Sequence, residues 1–466
     1  MPATEADDAN LSRERAGGAA EGTSPLGTSP PPGILQLAWP AITGNLLYAT
    51  VGIVDIKIVG SLGAPAVAAV TTGNRLFFVL QGLMMAVTAG TTAMVARAWG
   101  AGDRAEAERV TFASFALCSV LAVLMVSPGA LFSTELASFF RLEPETQELA
   151  AQFIFWLSFF NVAFAISFVI GAALRAVGDT ITPLWIGAIT NVVNVFFVYG
   201  LVFGKFGLPE LGVPGAAIAS GCAFTVGALL SMWLWMSGRL KIGFRTRGTA
   251  ALHRFKQLVY IGYPAGLEQA VWNGGFIGFL WVVALYGTAP YAAYGIGTQI
   301  LSFSFVVGFG FSIAASTHVG QRLGADDPDG AARSGWRAVR LAVGSMVVLG
   351  AAIVLLAPTI AGLLIDDPEV VELTVTFIYI LGAVQPLMAI EFTLGGALRG
   401  AGDTRFPLYT VLTGLVGVRI VLASVAAWLG LSVTWVFAAL IADYIVKSSL
   451  LSWRFASGRW KTIKVN

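Results

Sequence analysis

Two cysteines and two histidines are all that this 466-residue chain holds of two side chains much used in metal binding and covalent chemistry. Cys118 and Cys222 both sit inside apolar runs, which excludes a disulfide framework and reads as apolar packing. His253 lies in a basic stretch and His318 at an expected helix end, where anchoring at an interface is expected rather than ligation. No G-x-x-x-x-G-K-[ST] sequence occurs, so the chain carries no nucleotide-binding loop of its own. Nor does any convergent nucleophile, acid pair or ligand spacing point to an enzyme. Charge is scarce too: 12% of residues are charged against 56% hydrophobic, a balance that excludes a soluble domain of this size.

What the chain has instead is apolar runs of about 20 residues, each enough to cross roughly 30 Å of hydrocarbon as a helix. Twelve spans are expected, at 34–60, 66–96, 110–131, 147–171, 180–203, 211–236, 257–286, 290–317, 339–364, 370–396, 404–428 and 432–453. Residues 1–33 lack the charged-then-apolar order of a cleaved signal and read as a disordered tail. Basic residues gather on one side: Arg13 and Arg15 before the first span, Arg97, Arg104 and Arg109 after the second, Arg175 after the fourth, and Arg454, Arg459, Lys461 and Lys464 after the twelfth. The other side's loops hold only Arg141 and Lys205. The positive-inside rule then puts both termini in the cytoplasm of a cell whose inner membrane the chain crosses. The six basic residues of 239–256 read as a linker that faces lipid headgroups, not nucleic acid, between lobes at 34–238 and 257–455; residues 456–466 read as a cytoplasmic tail.

The chain is also duplicated. "ALRAVGDTITPL" at 173–184 returns as "ALRGAGDTRFPL" at 397–408, an offset of 224 residues that also maps Pro40 onto Pro264, Gly100 onto Gly324 and Asp103 onto Asp327. Each unit has six helices, an even number, so the two insert in parallel around an axis along the membrane normal, with a cavity between them. The motif itself has a structural explanation, with Gly178 and Gly402 in a tight turn and Asp179 and Asp403 capping the next helix.

At these residues the chain resembles the multidrug and toxic compound extrusion (MATE) family of secondary transporters. The resemblance covers roughly 34–456 and rests on "VDIKIVG" at 54–60, the two "ALRxxGDT" loops, and "NVFFVYG" running on into "KFGLPELGVPGAAIAS" at 205–220. It implies two six-helix lobes and export of amphipathic, often cationic compounds against inflow of H+ or Na+. No cofactor, nucleic acid or obligate protein partner is expected beyond small-molecule substrates and the bilayer. A lipid-linked precursor flippase, or another two-lobed carrier such as a major facilitator, is the nearest alternative.

Asp55 is the first intramembrane acid to explain. Tyr48, Gly52 and Asp55 share one face of the first span, whereas Lys57, about 200° round, points away and can reach the outer interface. On span 5, Asn191 and Asn194 share a face with Thr190 beside them, so carboxylate, amides and hydroxyl form an oxygen set for a small cation or a hydrogen-bonded carboxyl. The resemblance makes Asp55 the coupling acid and matches Asn194 and Ser220 to positions on spans 5 and 6. The alternative is an acid satisfied by internal hydrogen bonds. At the offset of 224 residues, Asp55, Asn191 and Asn194 meet Phe279, Leu415 and Val418, and Ser220 meets Tyr444, or Ala438 if the register shifts, so this constellation belongs to one lobe. The second lobe has its own polar set of Glu268, Glu391, Arg419, and Asp443 with Lys447. Glu268 and Glu391 serve either substrate or cation, or pair with Arg419, while Asp443 and Lys447 at i, i+4 form an ion bridge. Arg75 is expected as an internal hydrogen-bond donor.

Overall fold

The computed structural model describes residues 32–244 and 252–463, so the tail expected at 1–33 and the centre of the linker lie outside the described residues almost entirely. The first lobe runs α1 (Ile34–Gly60), α2 (Ala64–Gly100), α3 (Arg104–Leu131), short α4 (Ser133–Ser138), α5 (Pro144–Phe159), α6 (Asn161–Ala176), α7 (Ile181–Phe203) and α8 (Gly212–Met236). The second runs α9 (Leu252–Ala284), α10 (Thr288–Gly324), α11 (Pro328–Leu355), short α12 (Ala357–Leu364), α13 (Pro368–Gly400), α14 (Arg405–Val411), a π-helix (Leu412–Ile420), α15 (Val421–Trp428) and α16 (Val433–Ala456). Among the described residues ten helices, counting Arg405–Trp428 as one, are long and apolar enough to cross a membrane, and α5 with α6 makes an eleventh. The 33-residue α9, long enough but not among these apolar spans, is the counterpart of α1 and completes six segments in its lobe. Six segments per lobe make this an all-α integral membrane fold.

The duplication is visible in the helix bounds. α2 and α10 both have 37 residues, and α3 and α11 both have 28. Asp103 caps α3 by accepting from the Glu106 N–H at 2.9 Å, and Asp327 caps α11 by accepting from the Gly330 N–H at 2.7 Å. The turns of the repeated motif have Gly178 at φ 83° and Gly402 at φ 88°, the left-handed region that glycine adopts without a Cβ penalty. Only the first of the two Asp residues caps as expected: Asp179 accepts from the Thr182 N–H at 3.0 Å, whereas Asp403 accepts from Arg454 Nε at 2.7 Å.

Several boundaries differ from expectation, each for a local reason. The fourth span is two helices bent by 52°, while its repeat α13 is continuous. The ninth span stops at Leu355 because Pro358 suits the first turn of a new helix and not the interior of an old one. α9 begins at Leu252, inside the stretch expected to be linker. α2 and α10 continue past their expected ends to Gly100 and Gly324, so His318 is buried within α10 and is no interfacial anchor. Beyond α16, within the stretch expected as a cytoplasmic tail, a 3-10 turn at Arg459–Thr462 packs buried Trp460 on Phe455, ring centroids 4.6 Å apart.

Each lobe has its own aromatic core, with Phe77 and Phe164 in contact at 4.8 Å in the first and Phe377 and Phe437 at 4.8 Å in the second. The lobes touch at the basic end of the bundle, where α2 and α10 cross. There Gly100 lies against the backbone carbonyl of Gln321 and Gly324 against that of Arg97, so a Cβ at either glycine would overlap the facing chain. Arg97 donates to the Ala401 carbonyl at 2.9 Å, and Gln321 to the Ala176 carbonyl at 2.8 Å. Both bonds link the end of one long helix to the motif of the other lobe, as pseudo-two-fold symmetry demands.

Candidate cation-coupling site

Asp55 lies near the end of α1 away from the basic end and is half-buried, whereas Lys57 on the opposite face is exposed. Asn194 on α7 is 7% exposed and sits between Asp55 and Ser220 of α8. Three helices of one lobe thus meet through one amide. In one orientation that amide donates to Asp55 Oδ1 at 2.9 Å and Oδ2 at 3.1 Å while its oxygen accepts from Ser220 Oγ at 3.3 Å. Rotated by half a turn, its nitrogen donates to Ser220 Oγ at 3.3 Å and its carbonyl oxygen faces Asp55. The first orientation solvates an ionised carboxylate; the second offers an acceptor to a protonated carboxyl or a ligand to a small cation. The serine hydroxyl donates in one case and accepts in the other, so the first state is satisfied as it stands and the second only when Asp55 carries a proton or a cation lies between it and the amide oxygen.

The rest of the expected set is less concentrated. Tyr48 lies within electrostatic reach of Asp55 on the same helix face and is half exposed. The Thr190 hydroxyl donates to the Ile186 carbonyl at 2.8 Å and faces Gly227 of α8. Asn191 is partly buried and, like Thr190, makes no hydrogen bond to Asp55 among the described residues. Arg75, expected as an internal donor, is exposed and has no hydrogen bond among the described residues.

In the second lobe the expected partners are exchanged. Glu268 pairs with Arg399 of the repeated motif at 2.9 Å, and Arg399 also donates to Ser312 Oγ at 3.3 Å. Glu391 pairs with Lys447 at 2.9 Å, Lys447 with Asp443 at 3.3 Å, and Asp443 with Arg419. Neither glutamate therefore reaches Arg419, whose bridge to α16 is set by the π-helix; a π-turn changes the direction of every later side chain. Arg419, Asp443, Tyr444 and Lys447 are completely buried. Lys447 Nζ also lies 4.1 Å from the Tyr444 ring centroid and 4.6 Å from that of Trp272, and the Arg419 guanidinium lies 5.8 Å from that of Phe279, the residue opposite Asp55 in the repeat. Two carboxylates and two cations make a neutral, aromatic-walled cluster where the first lobe has its single acid. α16 starts at 433 against 212 in α8 and ends at 456 against 236, which places Leu440 or Ile441, not Tyr444 or Ala438, opposite Ser220.

Sequence reasoning missed Arg399, Ser312, Trp272 and Tyr444 as partners. Arg399 had a signal, since it repeats Arg175 of the first motif; the aromatic walls had none. Among the described residues no three His, Cys, Asp or Glu side chains cluster as a metal site.

The comparisons agree with this architecture. The MatE family model matches residues 40–200 and 264–425, two halves whose starts differ by the repeat offset. A probable multidrug resistance protein NorM of Thermotoga maritima is 30% identical over 92% of both chains, and a multidrug resistance protein NorM of Burkholderia vietnamiensis is 28% identical over 90% of this chain and 92% of its own. A MATE crystal structure in complex with MaL6 superposes with a TM-score of 0.85 at 18% identity, covering 91% of this chain and 96% of that one. An outward-facing structure of a multidrug resistance MATE transporter gives 0.84 at 19% identity, with coverage of 91% and 96%. Six helices twice over, joined at duplicated "ALRxxGDT" turns and matched by one family model across both halves, make this chain a member of the MATE family of transporters.

Proposed function

We propose that this chain exports amphipathic, often cationic organic compounds across the inner membrane, exchanging them for H+ or Na+ inflow at Asp55 by alternating access. The observation that carries this reading is the Asp55–Asn194–Ser220 chain across α1, α7 and α8, built in one lobe of a duplicated fold. An amide that donates to the bare carboxylate in one orientation, and in the other presents an oxygen that only a loaded Asp55 can satisfy, suits a group that loads and releases a cation. The positive-inside pattern supports taking the basic end as cytoplasmic, and the packing of α2 on α10 there supports an outward-open state from which Asp55 loads. Coupling then needs only that cation and substrate prefer different lobe arrangements, or compete for one, by a few kcal/mol. The names of the NorM relatives support a multidrug substrate range.

The test is efflux from proteoliposomes under pH and Na+ gradients imposed separately, across cationic, neutral and anionic compounds. Asp55→Asn is expected to bind compounds yet abolish gradient-driven exchange. Wild-type exchange rates in that variant would remove Asp55 from the mechanism, and transport confined to lipid-linked precursors would favour the flippase reading instead.

A further inference from the structure

At the basic end, between the start of α9 and the start of α14, a cleft of about 700 Å³ opens between Lys256, Gln257, Tyr260, Arg405, Tyr409 and Arg454. It shares Lys256 and Tyr260 with a shallow, open groove of about 420 Å³ on one face of α9, bordered by Phe255, Val259 and Tyr263. Those three walls lie at i, i+4 and i+8 on α9, so the groove climbs one helix face away from the basic end. The charge in the cleft is unbalanced. Asp403, the one carboxylate in the lining, is taken by Arg454 at 2.7 Å. Lys256 and Arg405 are exposed and have no ion pair among the described residues. The Arg405 guanidinium is held 4.7 Å from the Tyr260 ring centroid and 6.0 Å from that of Tyr263, so it is positioned at the point where the polar cleft meets the apolar groove.

The first lobe does not repeat these side chains: at the repeat offset Lys256, Tyr260 and Arg405 correspond to Pro32, Gln36 and Ile181. A pair of cations over a strip of half-exposed aromatic and aliphatic side chains matches a phosphate attached to acyl chains; a soluble anion would leave the strip uncovered. We propose that this cleft binds an anionic glycerophospholipid, its phosphate between Lys256 and Arg405 and one acyl chain along Phe255, Val259 and Tyr263. The proposal requires that the chain spans a bilayer and is independent of the coupling assigned to Asp55.

The full-length protein in detergent is titrated with phosphatidylglycerol, with phosphatidylcholine of the same chains, and with inorganic phosphate, and bound lipid is read by native mass spectrometry alongside thermal stability. Phosphatidylglycerol is expected to be retained in preference to phosphatidylcholine. Lys256→Gln with Arg405→Gln should weaken it roughly thirtyfold, at about fivefold for each cation at an anionic surface. Arg333→Gln, which removes an exposed cation elsewhere at the same end, should leave the preference unchanged. If the double variant does not fold, Val259→Ser is read instead and should weaken both lipids while leaving phosphate unaffected. Equal retention of the two lipids, an unchanged double variant, or full competition by inorganic phosphate would overturn the proposal.

Discussion

Replacing Lys447 by methionine removes one charge from the ionic cluster that is the most deeply buried among the described residues. Lys447 Nζ is 2.9 Å from Glu391 and 3.3 Å from Asp443, and its side chain is completely buried with those of Asp443 and Arg419. Methionine fills nearly the same volume, so the change isolates charge from packing. Asp443 keeps Arg419, but Glu391 is left without its cation. Breaking one side of a buried pair costs about 3–5 kcal/mol, because the remaining charge has neither water nor partner. At the unfolding entropy typical of globular chains, that is a fall of roughly 3–5 °C in Tm for a chain of this length. Thermal scans in detergent are checked against inactivation half-lives, since large membrane proteins often unfold irreversibly. Lys447→Met with Glu391→Gln restores neutrality and should recover at least half of the loss. A single variant as stable as wild type, or a double variant no better than the single, would refute the cluster as a charge-balanced unit.

Other outcomes follow from the same geometry. Gly100→Ala and Gly324→Ala each push a Cβ into the facing backbone, so both should separate α2 from α10 and raise thiol labelling of cysteines introduced beside them; unchanged labelling would remove this crossing as the closed end. Asn194→Leu deletes both orientations of the amide at Asp55, and at about 1.5–3 kcal/mol for a hydrogen bond to a charged group it should change the cation concentration for half-maximal exchange by tenfold or more. At the α10–α11 turn, the Gly330 N–H, with Arg322 beside it, holds the Asp327 carboxyl below its ordinary range. Its capping contribution, about 1 kcal/mol, should therefore be full above the ordinary Asp value near 4 and fade only as pH falls through the lower folded value. Asp327→Ala should lose it at neutral pH and flatten that acid limb in stability scans.

Much was legible in the sequence because a bilayer reduces the choices open to a chain. Apolar runs of spanning length must become helices, since no other open structure satisfies its own backbone there. The 224-residue offset, the "GDT" turns and the capping Asp179 are local features, so they were readable residue by residue. Asp55 stood out because an acid in such a run demands a reason, and its face with Tyr48 follows from helical periodicity alone. Three-dimensional packing decided the rest. Which of the polar residues on α7 meets Asp55 depends on the rotation of α7 against α1 and α8, and that rotation selects Asn194 over Asn191 and Thr190. Likewise, the pairing of Glu268 with Arg399 depends on how α9 packs against α13, and that of Arg419 with Asp443 on a π-helix that no hydrophobic pattern announces. Sequence determined where the apolar spans lie, their duplication and where charge had to be justified, because those follow from what each segment can bury. Only the tertiary structure decided which charges neutralise one another, because a partner is chosen by distance across helices and not by spacing along the chain.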